Sequence, residues 1–324
     1  MKKDILRKEV EKNRLLEDLE NLKCETKRLK NGRDISVESR EPFSRTYRDV
    51  DIAFISEESL QRQVEEVTFL GEGVYGRTDV VSFNGERCVM KTGKRGDLPH
   101  RELQILTYLD GAGGAPKLLA ASKRRCVISW VGDRTLQDMI SDGKCDQDCL
   151  LTALLQVCER VQEVHEKNII HNDIKADNIV YDTLAQKFSL IDYGLSKEAG
   201  ETYTKMYDSA RWMSPETKRG EPLGPKADVF SLGVLLGDIL NRFSRPRKIA
   251  VGLANRATAK KVDDRPTLAE FMGVLKRFLE DVEFKRRAKK HFRVKNVRSI
   301  WRDVKRGIAR PFKKIFKKKK GILQ

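Results

Sequence analysis

The sequence predicts an α+β protein of two lobes, a small antiparallel-sheet lobe with one helix followed by a larger, mainly helical lobe. Three observations carry this reading. The chain of 324 residues exceeds one typical domain and can bury a sizeable core. Val67–Val81 and Arg87–Lys91 read as short strands joined through an Asn84-Gly85 hairpin turn. From about residue 132 the apolar residues recur at helical spacing, notably over Leu150–Lys167, Ala227–Arg242 and Thr267–Phe284. Strands first and helices afterwards describe segregated layers.

Before the strands, residues 3–30 place Ile5, Leu15, Leu19, Leu22 and Leu29 on a 3-4 spacing broken by Lys8, Lys12 and Thr26, which predicts one helix ending at Asn31-Gly32. Two readings stand for it: self-association through residues 3–30 as a short coiled coil, or a solvated helix lying on its own domain. Residues 31–65 contain Pro42 and show no period, so they read as a linker or an ordered extension of the small lobe. Pro99 with Glu102, Ile105, Leu106 and Leu109 predicts the helix of the small lobe, closed by the glycine-rich stretch 111–114.

The formal net charge of +17 is confined to one segment, because residues 285–320 hold 18 Lys/Arg against the single acid Asp303. The basicity therefore belongs to a tail and not to the two lobes. The six cysteines lack a CxxC pair, which predicts reduced thiols rather than a disulfide framework or a zinc site. With no long uninterrupted apolar stretch, neither a signal peptide nor a membrane span is expected, and the expected location is intracellular: cytoplasm, with the nucleus or the inner membrane surface reached through the tail.

Phosphoryl transfer needs a held nucleotide, cationic charge over its phosphates and a hydroxyl aimed by a base. Gly71-Glu72-Gly73-Val74-Tyr75-Gly76 lies between two predicted strands, where glycines let backbone amides approach phosphate oxygens. The same spacing occurs in dinucleotide sites, but a helix should come next there and here a hairpin does. Lys91 ends the next apolar strand, and Glu102 opens the following helix, so its carboxylate can meet that lysine. Further on, the loop His171-Asn172-Asp173-Ile174-Lys175-Ala176-Asp177-Asn178 places acids, a lysine and amides between apolar pairs.

With Asp192-Tyr193-Gly194, Ser214-Pro215-Glu216, Asp228 through Gly233 and Asp264-Arg265-Pro266, these motifs occur in an order that resembles the eukaryotic-type protein kinase family over about residues 66–283. The resemblance implies a bilobal protein-kinase-like fold, with an N-lobe of about 66–131 and a C-lobe of about 132–283, acting on a protein substrate. It implies Asp173 as the catalytic base and Lys175 as the cation beside the transferring phosphoryl group. ATP is expected against Gly71, Glu72, Gly73, Val74, Gly76, Val89, Lys91, Glu102 and the backbone at Ser129 and Val131, with Ile128 as gatekeeper. Mg2+ is expected on Asn178 and Asp192, whose hard oxygens suit it. Lys175, two places after Asp173, and Ser209, seven before Glu216, resemble the serine/threonine form, in which residue 209 touches Asp173 and Lys175. Glu216 and Arg265 resemble a buried structural ion pair, and Asp228 resembles the acid that braces the catalytic loop. A scaffold without chemistry would be expected to have lost one of Lys91, Asp173 or Asp192. A small-molecule kinase shares the His-Asp-Asn loop but not the Ser214-Pro215-Glu216 and Arg265 features.

Some residues depart from the family pattern. Asn172 stands where most members have an arginine that answers a phosphate on the activation segment, so activity independent of such a phosphate is expected, with nothing to read one on Thr202, Tyr203, Thr204 or Tyr207. Tyr193 replaces a phenylalanine, and its hydroxyl needs a partner if buried. Thr78 and Val89 predict a narrower, more polar adenine pocket. The short stretch from Asp228 to Arg265 predicts that a substrate-docking helix is reduced or absent.

In the tail, Val297, Ile300, Trp301, Val304 and Ile308 return at helical spacing with basic residues on the other face. Residues 285–320 suit an anionic membrane surface. They suit an acidic partner or nucleic acid equally, and a solvated or intramolecular tail is the remaining reading, because charge alone does not choose among them.

Overall fold

The computed structural model describes residues 46–73, 76–94, 96, 98–203 and 210–280, with Glu66 described by its backbone alone. The helix expected at 3–30, the polybasic tail, Cys24, Val74, Thr204, Tyr207 and Ser209 lie outside the described residues.

The small lobe is a five-stranded antiparallel sheet in the order β1 (Val64–Glu72), β2 (Gly76–Phe83), β3 (Glu86–Gly93), β5 (Arg125–Ser129), β4 (Leu118–Ala121). Asn84 and Gly85 both take positive φ, 52° and 79°, and close the β2–β3 hairpin with the turn that matches strand twist. Alternation sorts the strands onto two faces. Val81, Phe83, Cys88, Met90 and Val127 pack on one side under Leu60 of α1 (Glu57–Arg62), while Cys126 and Ile128 join the core with Leu103 and Leu106 of α2 (His100–Leu109). Residues 47–63, the end of the stretch read as linker or extension, thus cover one face and one edge of the sheet.

The large lobe begins with β6 (Arg134–Thr135) and α3 (Leu136–Ser141), whose first turn is closed by reciprocal Thr135 and Asp138 bonds. It continues through α4 (Gln147–Glu166), β7 (Ile169–Ile170), β8 (Ile179–Asp182), β9 (Lys187–Leu190) and β10 (Lys197–Glu198). After these come α5 (Pro215–Lys218), α6 (Pro225–Leu240), α7 (Lys248–Ala257) and a helix over 268–280. Leu154, Val157, Cys158 and Val161 of α4 bury against the same core as Val229, Leu232, Leu236 and Ile239 of α6. Residues 241–247 between α6 and α7 are non-helical, which leaves little room for a docking helix there. No helix among the described residues is long and apolar enough to cross a membrane.

Candidate active site

The glycine loop bridges β1 and β2, and Gly73 N donates to Gly76 O at 2.8 Å. A Cβ at Gly76 (φ 157°) would stand 1.9 Å from Thr92 O, so the sheet itself demands that glycine. At Gly71 and Gly73 a Cβ would meet nothing within 4 Å. The protein's own packing does not require those two, and the open space beside their backbone fits the approach of a nucleotide's phosphates. Glu72 turns its side chain to Lys94 (2.7 Å), so its backbone is what it offers that space. Val89 pairs with Ile128 in the ladder. Ser129 N donates to Lys117 O at 2.9 Å, so any contact from the Ser129 backbone to a base runs through its carbonyl. Val131 is half-buried in the stretch after β5.

Across the cleft, β3 carries Lys91 and α2 carries Glu102, and their side chains meet at 2.6 Å. Asp192 Oδ1 lies 3.8 Å from the same ammonium. Burial alone would pull the Lys91 pKa down, but Glu102 and then Asp192 outweigh it and hold the group above its usual range. Cys126 sits opposite Lys91 in the β3–β5 register, and burial pushes its thiol up to about 12. Cys88, Cys126, Cys145, Cys149 and Cys158 are free thiols.

The loop between β7 and β8 is hung from Asp228 on α6. This fully buried carboxylate accepts from His171 N (2.9 Å) and Asn172 N (2.7 Å) and bonds the His165 ring (2.8 Å). Burial would raise the Asp228 pKa, yet these donors, His165 first, hold it below the usual carboxylate range. His171 Nε2 reaches Ile191 O at 3.2 Å, which ties the loop to Asp192 next in sequence. Asp192 itself takes φ 65°, a left-handed conformation that Asp tolerates better than most residues.

Asp173 Oδ2 accepts from Asn178 Nδ2 (2.7 Å) and Lys175 Nζ (3.1 Å), so carboxylate, ammonium and amide stand together. Asn178 Nδ2 also donates to Asp173 O at 3.0 Å, which leaves the amide oxygen as its donor to a metal. With the Asp192 carboxylate this makes a pair of hard oxygen ligands that phosphate and water would complete, a set that fits Mg2+. Among the described residues no three His, Cys, Asp or Glu side chains form a metal cluster of their own.

Several contacts were not legible in the sequence. Trp212 Nε1 donates to Asp173 Oδ1 at 2.6 Å and its ring lies 4.8 Å from Lys175 Nζ. Sequence spacing points instead to Ser209, which lies outside the described residues, and a lone tryptophan carries no signal of such a role. Asn172 donates from Nδ2 to the Tyr203 hydroxyl (2.9 Å) and accepts at Oδ1 from Thr217 Oγ1 (3.2 Å), while Tyr203 in turn donates to Leu195 O. Asp177 touches neither base nor phosphate-facing groups through any of these bonds. Arg265 and Glu216 form a buried pair through two bonds of 2.6 and 2.7 Å.

Tyr193 is fully buried with its ring 4.7 Å from that of His171, and its hydroxyl finds no hydrogen-bond partner among the described residues.

A family model described as the protein kinase domain matches residues 118–248. The serine/threonine-protein kinase shk2 of Schizosaccharomyces pombe is 29% identical over 140 residues, 42% of this chain and 23% of that protein. Mitogen-activated protein kinase kinase kinase 13-B of Xenopus laevis is 29% identical over 189 residues, 55% of this chain and 19% of that one. The serine/threonine-protein kinase PEPKR2 of Arabidopsis thaliana is 29% identical over 182 residues, 53% of this chain and 38% of that one. The chain thus spans less than two-fifths of the length of these relatives. A two-lobed fold, a lysine–glutamate pair facing an aspartate across the cleft and these matches together make the chain similar to eukaryotic-type protein kinases, with residues 118–248 matched to the protein kinase domain.

Proposed function

We propose that the chain is an ATP- and magnesium-dependent protein serine/threonine kinase that works without a phosphate on its activation segment, the stretch from Asp192 to Glu216. One observation carries the chemical half of this reading. Lys91 meets Glu102 at 2.6 Å and Asp192 of the other lobe at 3.8 Å, and the Asp173, Lys175 and Asn178 cluster is tied to Asp192 through His171 and Ile191. ATP supplies the transferable phosphoryl group, and magnesium, when bound, spreads its negative charge. Glu102 fixes Lys91 to face the phosphates, and Asn178 and Asp192 hold the metal through oxygen. Asp173 accepts the hydrogen bond of a serine or threonine hydroxyl and aims its oxygen in line, while Lys175 faces the charge that develops. The Asn172 bonds to Tyr203 and Thr217 support the regulatory half, because they fasten Tyr203 of the activation segment, and Thr217 just past it, to the loop through neutral groups where a phosphate-reading cation would otherwise stand.

The test is transfer of labelled phosphate from ATP to casein or to the chain itself, with Mg2+ present or chelated. Activity should vanish in Asp173→Asn and Lys91→Met and should survive phosphatase treatment of the wild type. Equal labelling by wild type and both variants would sink the chemical reading, and loss on phosphatase treatment the regulatory one.

A further inference from the structure

The segment ahead of the first strand touches both elements whose placement decides whether this site is assembled. Tyr47, at 3% exposure, buries its ring in the main core and donates its hydroxyl to Glu201 Oε1 at 3.2 Å. Arg48 pairs with the same carboxylate, whose side chain is only 14% exposed. Glu201 lies in the activation segment, three residues past β10. A turn further along the segment, the Arg48 and Val50 carbonyls accept from Gln104 Nε2 at 3.4 and 3.1 Å. Gln104 stands two residues after Glu102 on α2, and helical positions i and i+2 do not share a face. The segment therefore grips the outer side of α2 while Glu102 reaches inward to Lys91. It is anchored downstream as well: Ile55 N donates to Ala121 O at 2.9 Å on the β4 edge, and Glu57 accepts from Arg124 N at 2.9 Å.

We propose that Tyr47–Val50 is an intramolecular strap, with Tyr47, Arg48, Gln104 and Glu201 as positioning residues that tie α2 to the activation segment and so keep Glu102 on Lys91. The inference rests on the kinase reading above and deepens it, since it names what replaces a phosphate as the tie between these elements. Arg48 is 63% exposed, so its ion pair is screened and adds little to global stability. A tie of this kind shifts the balance between assembled and unassembled sites more than it shifts unfolding.

The experiment uses the full chain with Tyr47→Phe, Glu201→Gln and Gln104→Leu. Each should lower kcat about three- to tenfold, with KM for ATP within about twofold, as expected when ATP binds both forms about equally and only the assembled fraction turns over. The thermal midpoint should stay within about 2 °C of wild type, a shift that marks a small change in global stability. Tyr47→Phe combined with Glu201→Ala should be no slower than Glu201→Ala alone, because the alanine has already removed the oxygen to which Tyr47 donates. The inference is overturned if all three variants keep wild-type kcat, or if their losses simply track lowered midpoints. Should the wild type itself transfer no phosphate, the kinase reading fails separately and amide exchange of residues 100–109 decides. Faster exchange there in Tyr47→Phe keeps the strap, and unchanged exchange removes it.

Discussion

Replacing Tyr193 by phenylalanine removes one oxygen from a side chain that is fully buried and has no partner for its hydroxyl among the described residues. The surroundings are apolar or already engaged: the His171 ring lies 4.7 Å away, and a Cβ placed on Gly113 would be 3.7 Å from the oxygen. Burial, with the nearby Asp228 and Glu163 carboxylates adding to it, holds the phenol above its usual pKa, so no ionised form relieves the oxygen. An unsatisfied buried hydroxyl costs about 1–3 kcal/mol. The gap left by one oxygen, at about 24 cal/mol per Å3, returns less than about 0.5 kcal/mol of that. Tyr193→Phe should therefore stabilise the protein by about 1 kcal/mol, read as a rise of about 2–4 °C in thermal midpoint. Urea unfolding with an unchanged m-value provides the second measurement. A loss of about 1 kcal/mol would refute the reasoning, since it would mean that the hydroxyl is satisfied, for instance by a buried water.

Other outcomes rest on the same geometry. Gly76→Ala sets a methyl 1.9 Å from Thr92 O, so β2 or β3 must shift; the variant should lose several kcal/mol of stability in urea unfolding, whereas Gly73→Ala, with open space at its Cβ, should fold normally and weaken nucleotide binding. Trp212→Phe removes the indole donor from Asp173 Oδ1, the oxygen a substrate hydroxyl would use; a lost hydrogen bond of about 1 kcal/mol should lower KM for a polypeptide substrate about fivefold, and an unchanged KM would exclude the competition. Burial pushes the Glu216 pKa up, but the Arg265 bonds outweigh it and hold the group below its ordinary 4.5. A depressed pKa contributes stability that is complete above the unfolded value and fades as pH falls through the folded one. Stability should therefore drop below about pH 4.5, and Glu216→Gln, though destabilised throughout by leaving Arg265 buried and unpaired, should show a shallower acid slope in urea titrations.

Local signals made much of the fold legible. Asn84-Gly85 specified its turn because only such residues accept positive φ at both central positions, and the apolar spacing of α4 and α6 was already present in the sequence to within about three residues. The pairing of Lys91 with Glu102 was readable as an opportunity, since a strand end and the next helix start had to face one cleft. What was not legible joins distant parts of the chain. Tyr47 and Glu201 are 154 positions apart, and Trp212 is 39 from Asp173, so no periodicity or motif connects them. Tyr193 could be flagged as a hydroxyl in need of a partner, but whether one existed depended on packing from α4 and the glycine turn, which spacing does not encode.

Asn172 and Asp173 illustrate how one dipeptide serves two tasks. Asp228 receives the backbone N–H of His171 and of Asn172, which fixes the loop before either side chain acts. From that fixed backbone Asn172 turns to Tyr203 and Thr217, while Asp173 collects Asn178, Lys175 and Trp212. The Asn172 ties to Tyr203 and Thr217 and the polar cluster around Asp173 are therefore parts of a single hydrogen-bonded unit. An arginine at position 172 would carry a charge into a site that is 2% exposed, and that charge would need an anion to be tolerated there. The amide needs only a donor and an acceptor, and Thr217 and Tyr203 supply them from within the fold. On the proposed reading, a neutral residue in place of a charged reader would shift control from an added phosphate to contacts that folding alone completes, and the proposed strap at Tyr47–Val50 fits the same logic from the other side of α2.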